Sequence, residues 1–72
     1  MTTITWSAGN NSSYLVGQRR AATKRGGIRA ARAYIRGELY GEGRAIIYDD
    51  GEAVAETERS LHTGYEWVTR EI

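Results

Sequence analysis

The apolar side chains between residues 28 and 40 recur with the spacing of an α-helix. One stripe of that helix surface is formed by Ile28, Ala31, Ile35 and Leu39, at positions i, i+3, i+7 and i+11. Gly41 follows directly and suits the first position after a helix end. The pattern therefore predicts a single helix, with the basic segment 19–27 before it as a loop or a frayed helix start.

Alternating or β-favouring segments lie on both sides of this helix. Asp50-Gly51 is a dipeptide typical of a two-residue hairpin turn. Strands are predicted over residues 3–7, 14–18, 44–48, 52–58 and 65–72. One helix stripe is most simply buried against one face of a sheet, so we expect an α+β fold of two layers. Its antiparallel sheet has four to five strands with one helix packed across it, in the order β(β)αβββ.

Size and composition limit the classes of function. With 72 residues the chain is expected to be one domain, residues 1–72, with little interior room for a cofactor. It contains no cysteine, which excludes disulfides, cysteine-ligated zinc and cysteine nucleophiles, and favours a reducing compartment. No apolar run approaches the roughly 18 residues that span a membrane, and no signal peptide is expected at the N-terminus.

Positive and negative side chains are divided between the two halves of the chain. Residues 1–37 contain seven basic residues and no acid, whereas residues 38–72 contain three arginines and nine acids. The formal net charge of +1 therefore hides a strong asymmetry. Two interpretations stay open: the fold has one basic and one acidic surface, or the two halves neutralise each other.

Four of the basic residues form a stripe along the predicted helix. This basic helix flank, about 90° from the apolar stripe on a helical wheel, consists of Arg25, Arg29, Arg32 and Arg36. A third, nearly featureless face carries Ala30, Ala33 and Gly37, where a partner or a second copy of the chain could approach closely. Cations near a helix N-terminus oppose the macrodipole, so helix stability does not explain the flank.

The cationic cluster is the strongest candidate binding site. Guanidinium groups pair two oxygens at once, which suits phosphates or an acidic protein patch. The partner-binding residues are predicted to be Arg19, Arg20, Lys24, Arg25, Arg29, Arg32 and Arg36. The alternative is that these cations pair with acids of the second half, such as Glu52, Glu56 and Glu58, or form a solvated face.

The aromatic residues divide between core and surface. Trp6 and Trp67 are expected in the core, since tryptophan is highly buried on average. Tyr65 and Trp67 would share one face of the last strand, where either could stack on a base or anchor a partner.

Motifs for catalysis, cofactors or metals are not found in the sequence. His62 is the single histidine, and no neighbouring pattern supplies it with a nucleophile. The glycines at 26 and 27 lack the lysine and hydroxyl residue of a phosphate-binding loop. We therefore expect no enzyme activity, no cofactor and no metal.

Three segments define the predicted helix, hairpin and closing strand of this small chain: "IRAARAYIRGELY", "RAIIYDDGEAVAE" and "YEWVTREI". In size and in the order of these elements the chain resembles the small anti-CRISPR proteins encoded by phages. It implies a non-enzymatic inhibitor in the cytoplasm of a bacterial host, which docks on a CRISPR-Cas nucleoprotein complex or another acidic protein surface. Many such inhibitors are acidic DNA mimics, and the basic half departs from that subclass. The alternative is a small nucleic-acid-binding module that uses the same basic helix and loop; a homodimer is possible, and no membrane contact is expected.

Overall fold

The protein is described by a computed structural model covering residues 3–10, 15 and 17–72. One helix packs on a five-stranded antiparallel sheet, which confirms the predicted α+β fold. The elements are β1 (Ile4–Gly9), β2 (Arg19–Ala21), α1 (Lys24–Glu38), β3 (Gly43–Asp49), β4 (Glu52–Arg59), a 3₁₀ turn (Leu61–Thr63) and β5 (Val68–Glu71).

The strand order in the sheet is β2-β1-β3-β4-β5. Both β2 and β3 pair antiparallel with β1, so they run in the same direction, and α1 connects them by crossing over β1. The helix consequently packs mainly on β1 and β3, in the middle of one sheet face. The opposite face of the sheet carries no second layer among the described residues.

The core lies between α1 and that sheet face. Trp6 of β1 stands opposite Ile47 of β3, which in turn stands opposite Ala55 of β4, so apolar side chains continue across three strands. Trp6 is only 3% exposed, which confirms it as a core residue. The other buried apolar residues are Ile4, Ala8, Ala31, Ile35, Leu39 and Ala45.

The helix begins at Lys24, four residues earlier than predicted. Thr23 caps it: the Thr23 hydroxyl accepts a hydrogen bond of 2.9 Å from the backbone N–H of Gly26. The paired glycines thus lie inside the first turns rather than before the helix. Gly27 is buried against the sheet, where a methyl group at its position would lie in ordinary van der Waals contact with Ile4 and Ile47.

The helix ends at Glu38, two residues earlier than predicted. Leu39 is the C-terminal cap, and Tyr40 rather than Gly41 is the first residue beyond it. Tyr40 takes the left-handed conformation with φ 57°, and the Gly41 N–H donates to the Ile35 carbonyl at 2.9 Å. A chain reversal follows at once, which brings β3 back beneath the helix.

The predicted hairpin between β3 and β4 is confirmed. Asp50 and Gly51 have φ angles of 50° and 85°, the pair of positive values that a type I′ turn requires. Asp49 and Glu52 pair across this turn, and a register shift follows between Ile47 and Tyr48.

Two strand predictions are wrong in position. The strand expected over residues 14–18 is found instead at Arg19–Ala21, inside the segment predicted to be a loop; Tyr14 and Val16 lie outside the described residues. The last strand begins at Val68, so Tyr65 and Trp67 do not share a face of it. Tyr65 is 51% exposed with φ 62°, in the turn before β5, whereas Trp67 is half-buried and packs against the core.

Candidate anion-binding surface

Three arginines of the basic helix flank project into solvent and have no partner in the part of the chain that the structure describes. Arg25, Arg29 and Arg36 are exposed, and none of them forms a hydrogen bond or an ion pair with any described residue. They share one side of α1 with Arg32, and the first and last of the four are about 16 Å apart along the axis. This arrangement leaves a row of guanidinium groups available to an external anion.

Lys24 is the member of the predicted site that pairs with the acidic half. Its ammonium lies 2.6 Å from a carboxylate oxygen of Glu71 in β5. The hydrogen bond from Lys24, together with its positive charge, holds the pKa of Glu71 below the ordinary glutamate value. Because both side chains are substantially exposed, the pair contributes little to stability.

Arg19 and Arg20 of β2 point to opposite faces of the sheet. The Arg19 guanidinium lies 5.9 Å from the ring centre of Trp6 and 5.3 Å from that of Tyr34, on the helix side. Arg20 stands opposite Thr5, one position along the strand, so its side chain lies on the other face. The structure therefore does not bring Arg20 together with the basic helix flank.

Arg32 is the half-buried member of the basic helix flank. Its Nε donates to the Thr57 hydroxyl at 3.2 Å and its Nη2 to the Thr69 hydroxyl at 2.6 Å. Its guanidinium carbon also lies 5.1 Å from the centre of the Trp67 ring. Two strands and one aromatic ring thus fix its orientation, and no described carboxylate neutralises it.

Arg59 joins this cluster, although it is not among the residues that the sequence predicts to bind a partner. Its guanidinium carbon lies 5.8 Å from the Trp67 ring centre, and its Nε donates to the Tyr65 carbonyl at 3.0 Å. Arg59 follows Thr57 at a spacing of two on β4, so alternation places both on the helix side of the sheet. That alternation was the available signal, but the strand was predicted to end at residue 58.

Two of the three acids named as alternative partners for the cationic cluster, Glu56 and Glu58, pair with other arginines. Glu56 accepts hydrogen bonds from Arg44 and from Arg70, the second at 2.9 Å, and Glu58 lies 3.4 Å from Arg70. The Arg44 hydrogen bond is the main cause of a lowered pKa at Glu56, which burial opposes and Arg70 supports. These four residues form an ion-paired network on the open sheet face, so the alternative in which the cationic cluster pairs with the acidic half is not found for Glu56 and Glu58. Glu52 forms no ion pair with a described residue.

The small helix face borders a shallow groove. Ala30, Ala33 and Gly37, together with Trp6, Arg19, Tyr34 and Glu38, line an open space of about 620 Å³. Ala33 and Gly37 are exposed, and a methyl group added at Gly37 would meet no atom within 4 Å. The face is therefore accessible, as the wheel predicts.

The polar residues around His62 have a structural role. The Ser60 hydroxyl donates to Glu58 at 3.0 Å and accepts from the backbone N–H of His62 at 3.2 Å, which caps the 3₁₀ turn. His62, Glu58 and Arg44 line an open cleft of about 430 Å³. Within residues 3–10, 15 and 17–72, no three acidic or histidine side chains are grouped as metal ligands.

The described helix is too short and too polar to cross a membrane. Comparison with protein-family models, with curated proteins and with solved structures gave no match. Function must therefore be argued from the geometry of the chain itself.

Proposed function

We propose that the chain is a non-enzymatic binding protein that docks through its basic helix flank on an acidic protein surface. The single observation that carries this proposal is the absence of a counter-charge: Arg25, Arg29, Arg32 and Arg36 form no ion pair with any described acid. Placing cations near a helix N-terminus is unfavourable, and so are like charges at i,i+3 and i,i+4. An external anion supplies the compensation that the fold does not.

The target in this proposal is a bacterial CRISPR-Cas defence complex, and the place of action is the bacterial cytoplasm. One feature supports a protein target over nucleic acid. The formal net charge is only +1, whereas nucleic-acid-binding domains are typically strongly basic as a whole. Inhibition by occlusion requires no catalytic group, only stable occupation of the surface.

The experiment is a cleavage assay with a panel of purified CRISPR-Cas effector complexes. The wild-type chain should inhibit one of them at about one molecule per complex. The double variant Arg29→Glu with Arg36→Glu should lose inhibition, because it reverses two exposed charges of the flank. Arg20→Glu is the control, since it reverses an exposed charge on the opposite sheet face.

Three results would overturn the proposal. One is inhibition of no effector by the wild-type chain, and another is equal inhibition by the double variant. The third is tight binding to random duplex DNA with a log–log salt slope near −0.9 per phosphate contact, which would identify a nucleic-acid-binding module instead.

A further inference from the structure

Two arginines share the ring of Trp67, and neither has a carboxylate partner among the described residues. Arg32 comes from α1 and Arg59 from β4, so the cluster forms only when helix and sheet pack together. Their guanidinium carbons lie 5.1 and 5.8 Å from the centre of the same ring. Two cations held on one indole repel each other, and the ring offsets that repulsion only in part.

Most of the hydrogen-bond donors in this cluster are unused. A guanidinium has five N–H donors. Arg32 directs Nε and one Nη2 donor to Thr57 and Thr69, and Arg59 directs Nε to the Tyr65 carbonyl. In both residues the bonds made by Nε fix the plane of the group, while donors of the terminal nitrogens remain. These are the donors that bind a carboxylate in a two-point fashion.

We propose that Arg32 and Arg59, held on Trp67, form a carboxylate-binding site for an acidic side chain of a protein partner. This assignment rests on the proposed function and names its central contact. Arginine and tryptophan are the residue types that dominate binding energy at protein interfaces. Both guanidiniums are already oriented, so less conformational entropy is lost when the carboxylate binds.

A carboxylate fits the site better than a nucleic-acid strand does. Base stacking needs a free aromatic face, and the Trp67 ring is already approached by two guanidiniums. The half-buried position of Trp67 further limits access to its ring. A side-chain carboxylate needs only the unused nitrogen donors, which are the groups that the cluster offers.

The test is an NMR titration of the wild-type chain with a blocked tetraglutamate peptide at physiological salt. The Nε–H signals of Arg32 and Arg59 and the indole N–H of Trp67 should shift saturably. The Nε–H signal of Arg20, on the other face, should stay in place. Arg59→Lys keeps the charge but loses the planar fork, and it should weaken peptide binding about tenfold, whereas Arg20→Lys should not.

Several outcomes would overturn the assignment. Signals that shift equally for every arginine would show diffuse charge screening rather than a site. If inorganic phosphate or a short oligonucleotide shifted the same NMR signals and bound more tightly than the peptide, the site would be a phosphate site rather than a carboxylate site. Full retention of peptide affinity in Arg59→Lys would remove Arg59 from the site.

The peptide titration and the cleavage assay can fail independently of each other. Saturable peptide binding at Arg32 and Arg59 without inhibition of any effector would sustain the site and refute the proposed function. Inhibition that depends on Arg29 and Arg36, without the shifts at Arg59, would sustain the function and refute the site.

Discussion

Substituting alanine for Gly27 should stabilise the protein, although Gly27 is buried. Glycine inside a helix is about 1 kcal/mol less favourable than alanine. A methyl group at this position would lie 3.5 Å from side-chain carbons of Ile4 and Ile47 and 3.6 Å from Ala21, which are ordinary van der Waals distances. Burial of that methyl adds about 0.8 kcal/mol at most. We therefore expect a gain of about 1–1.5 kcal/mol.

Substituting alanine for Gly43 should instead lower the free energy of unfolding. A methyl group there would lie 2.9 Å from a Leu39 methyl carbon and 3.0 Å from the Gly9 carbonyl oxygen. The carbonyl belongs to the paired strand β1 and cannot move without disturbing the ladder. Overpacking of this kind costs about 1–3 kcal/mol. Gly27→Ala and Gly43→Ala add the same methyl group, so a difference in their stabilities reports the space available at each position.

Both variants can be measured by urea denaturation followed through tryptophan fluorescence, with Trp6 as the buried probe. A change of 1 kcal/mol corresponds to about 4–8 °C in Tm for a domain of this size. The midpoint should rise for Gly27→Ala and fall for Gly43→Ala, with similar slopes. The reasoning is refuted if Gly27→Ala lowers stability or if Gly43→Ala leaves it unchanged. Tetraglutamate binding by Gly27→Ala should equal that of the wild type, because the substitution lies on the sheet side of α1.

Three further outcomes are expected. Arg44→Gln should raise the pKa of Glu56 in an NMR titration, because it removes the main hydrogen bond to that carboxylate; an unchanged pKa would contradict the network. In the wild type the lowered pKa stabilises the fold above the ordinary value of 4.5, and this contribution is lost as the pH falls through the folded-state value. Thr23→Ala should lower the free energy of unfolding by about 1 kcal/mol, since it removes the helix cap, and no loss in urea denaturation would argue against capping. Trp67→Leu should weaken tetraglutamate binding by calorimetry; unchanged affinity would show that the ring does not position the arginines.

The periodic and turn signals predicted the fold class because they report local preferences. The stripe of Ala31, Ile35 and Leu39 is buried as expected, and Asp50-Gly51 forms the hairpin. The helix begins four residues before the predicted start, because the low helix propensity of glycine at 26 and 27 favours a later start. A threonine cap and close packing on the sheet overrode that propensity.

Part of the candidate site depended on tertiary pairing that a sequence does not display. Alternation within β2 separates Arg19 from Arg20, but the predicted strand lies three to five residues too early in the sequence. Arg59 reaches Trp67 only through the β4–β5 pairing, and its sequence neighbours in the acidic half give no signal of that contact. Helical periodicity alone predicts that Arg25, Arg29 and Arg36 lie on one side of α1, so the sequence is sufficient to place these three residues.

The central claim is that the basic helix flank has no counter-charge among the described residues. The free energy of unfolding of Arg29→Glu, measured by urea denaturation at low salt, tests it most directly. The substitution replaces repulsions with Arg25 and Arg32 by attractions of about 0.2–0.5 kcal/mol each. The predicted result is a stability equal to the wild type or higher by about 0.5–1 kcal/mol. A loss of 1 kcal/mol or more would show that Arg29 is neutralised by the chain's own acids, and would contradict the claim.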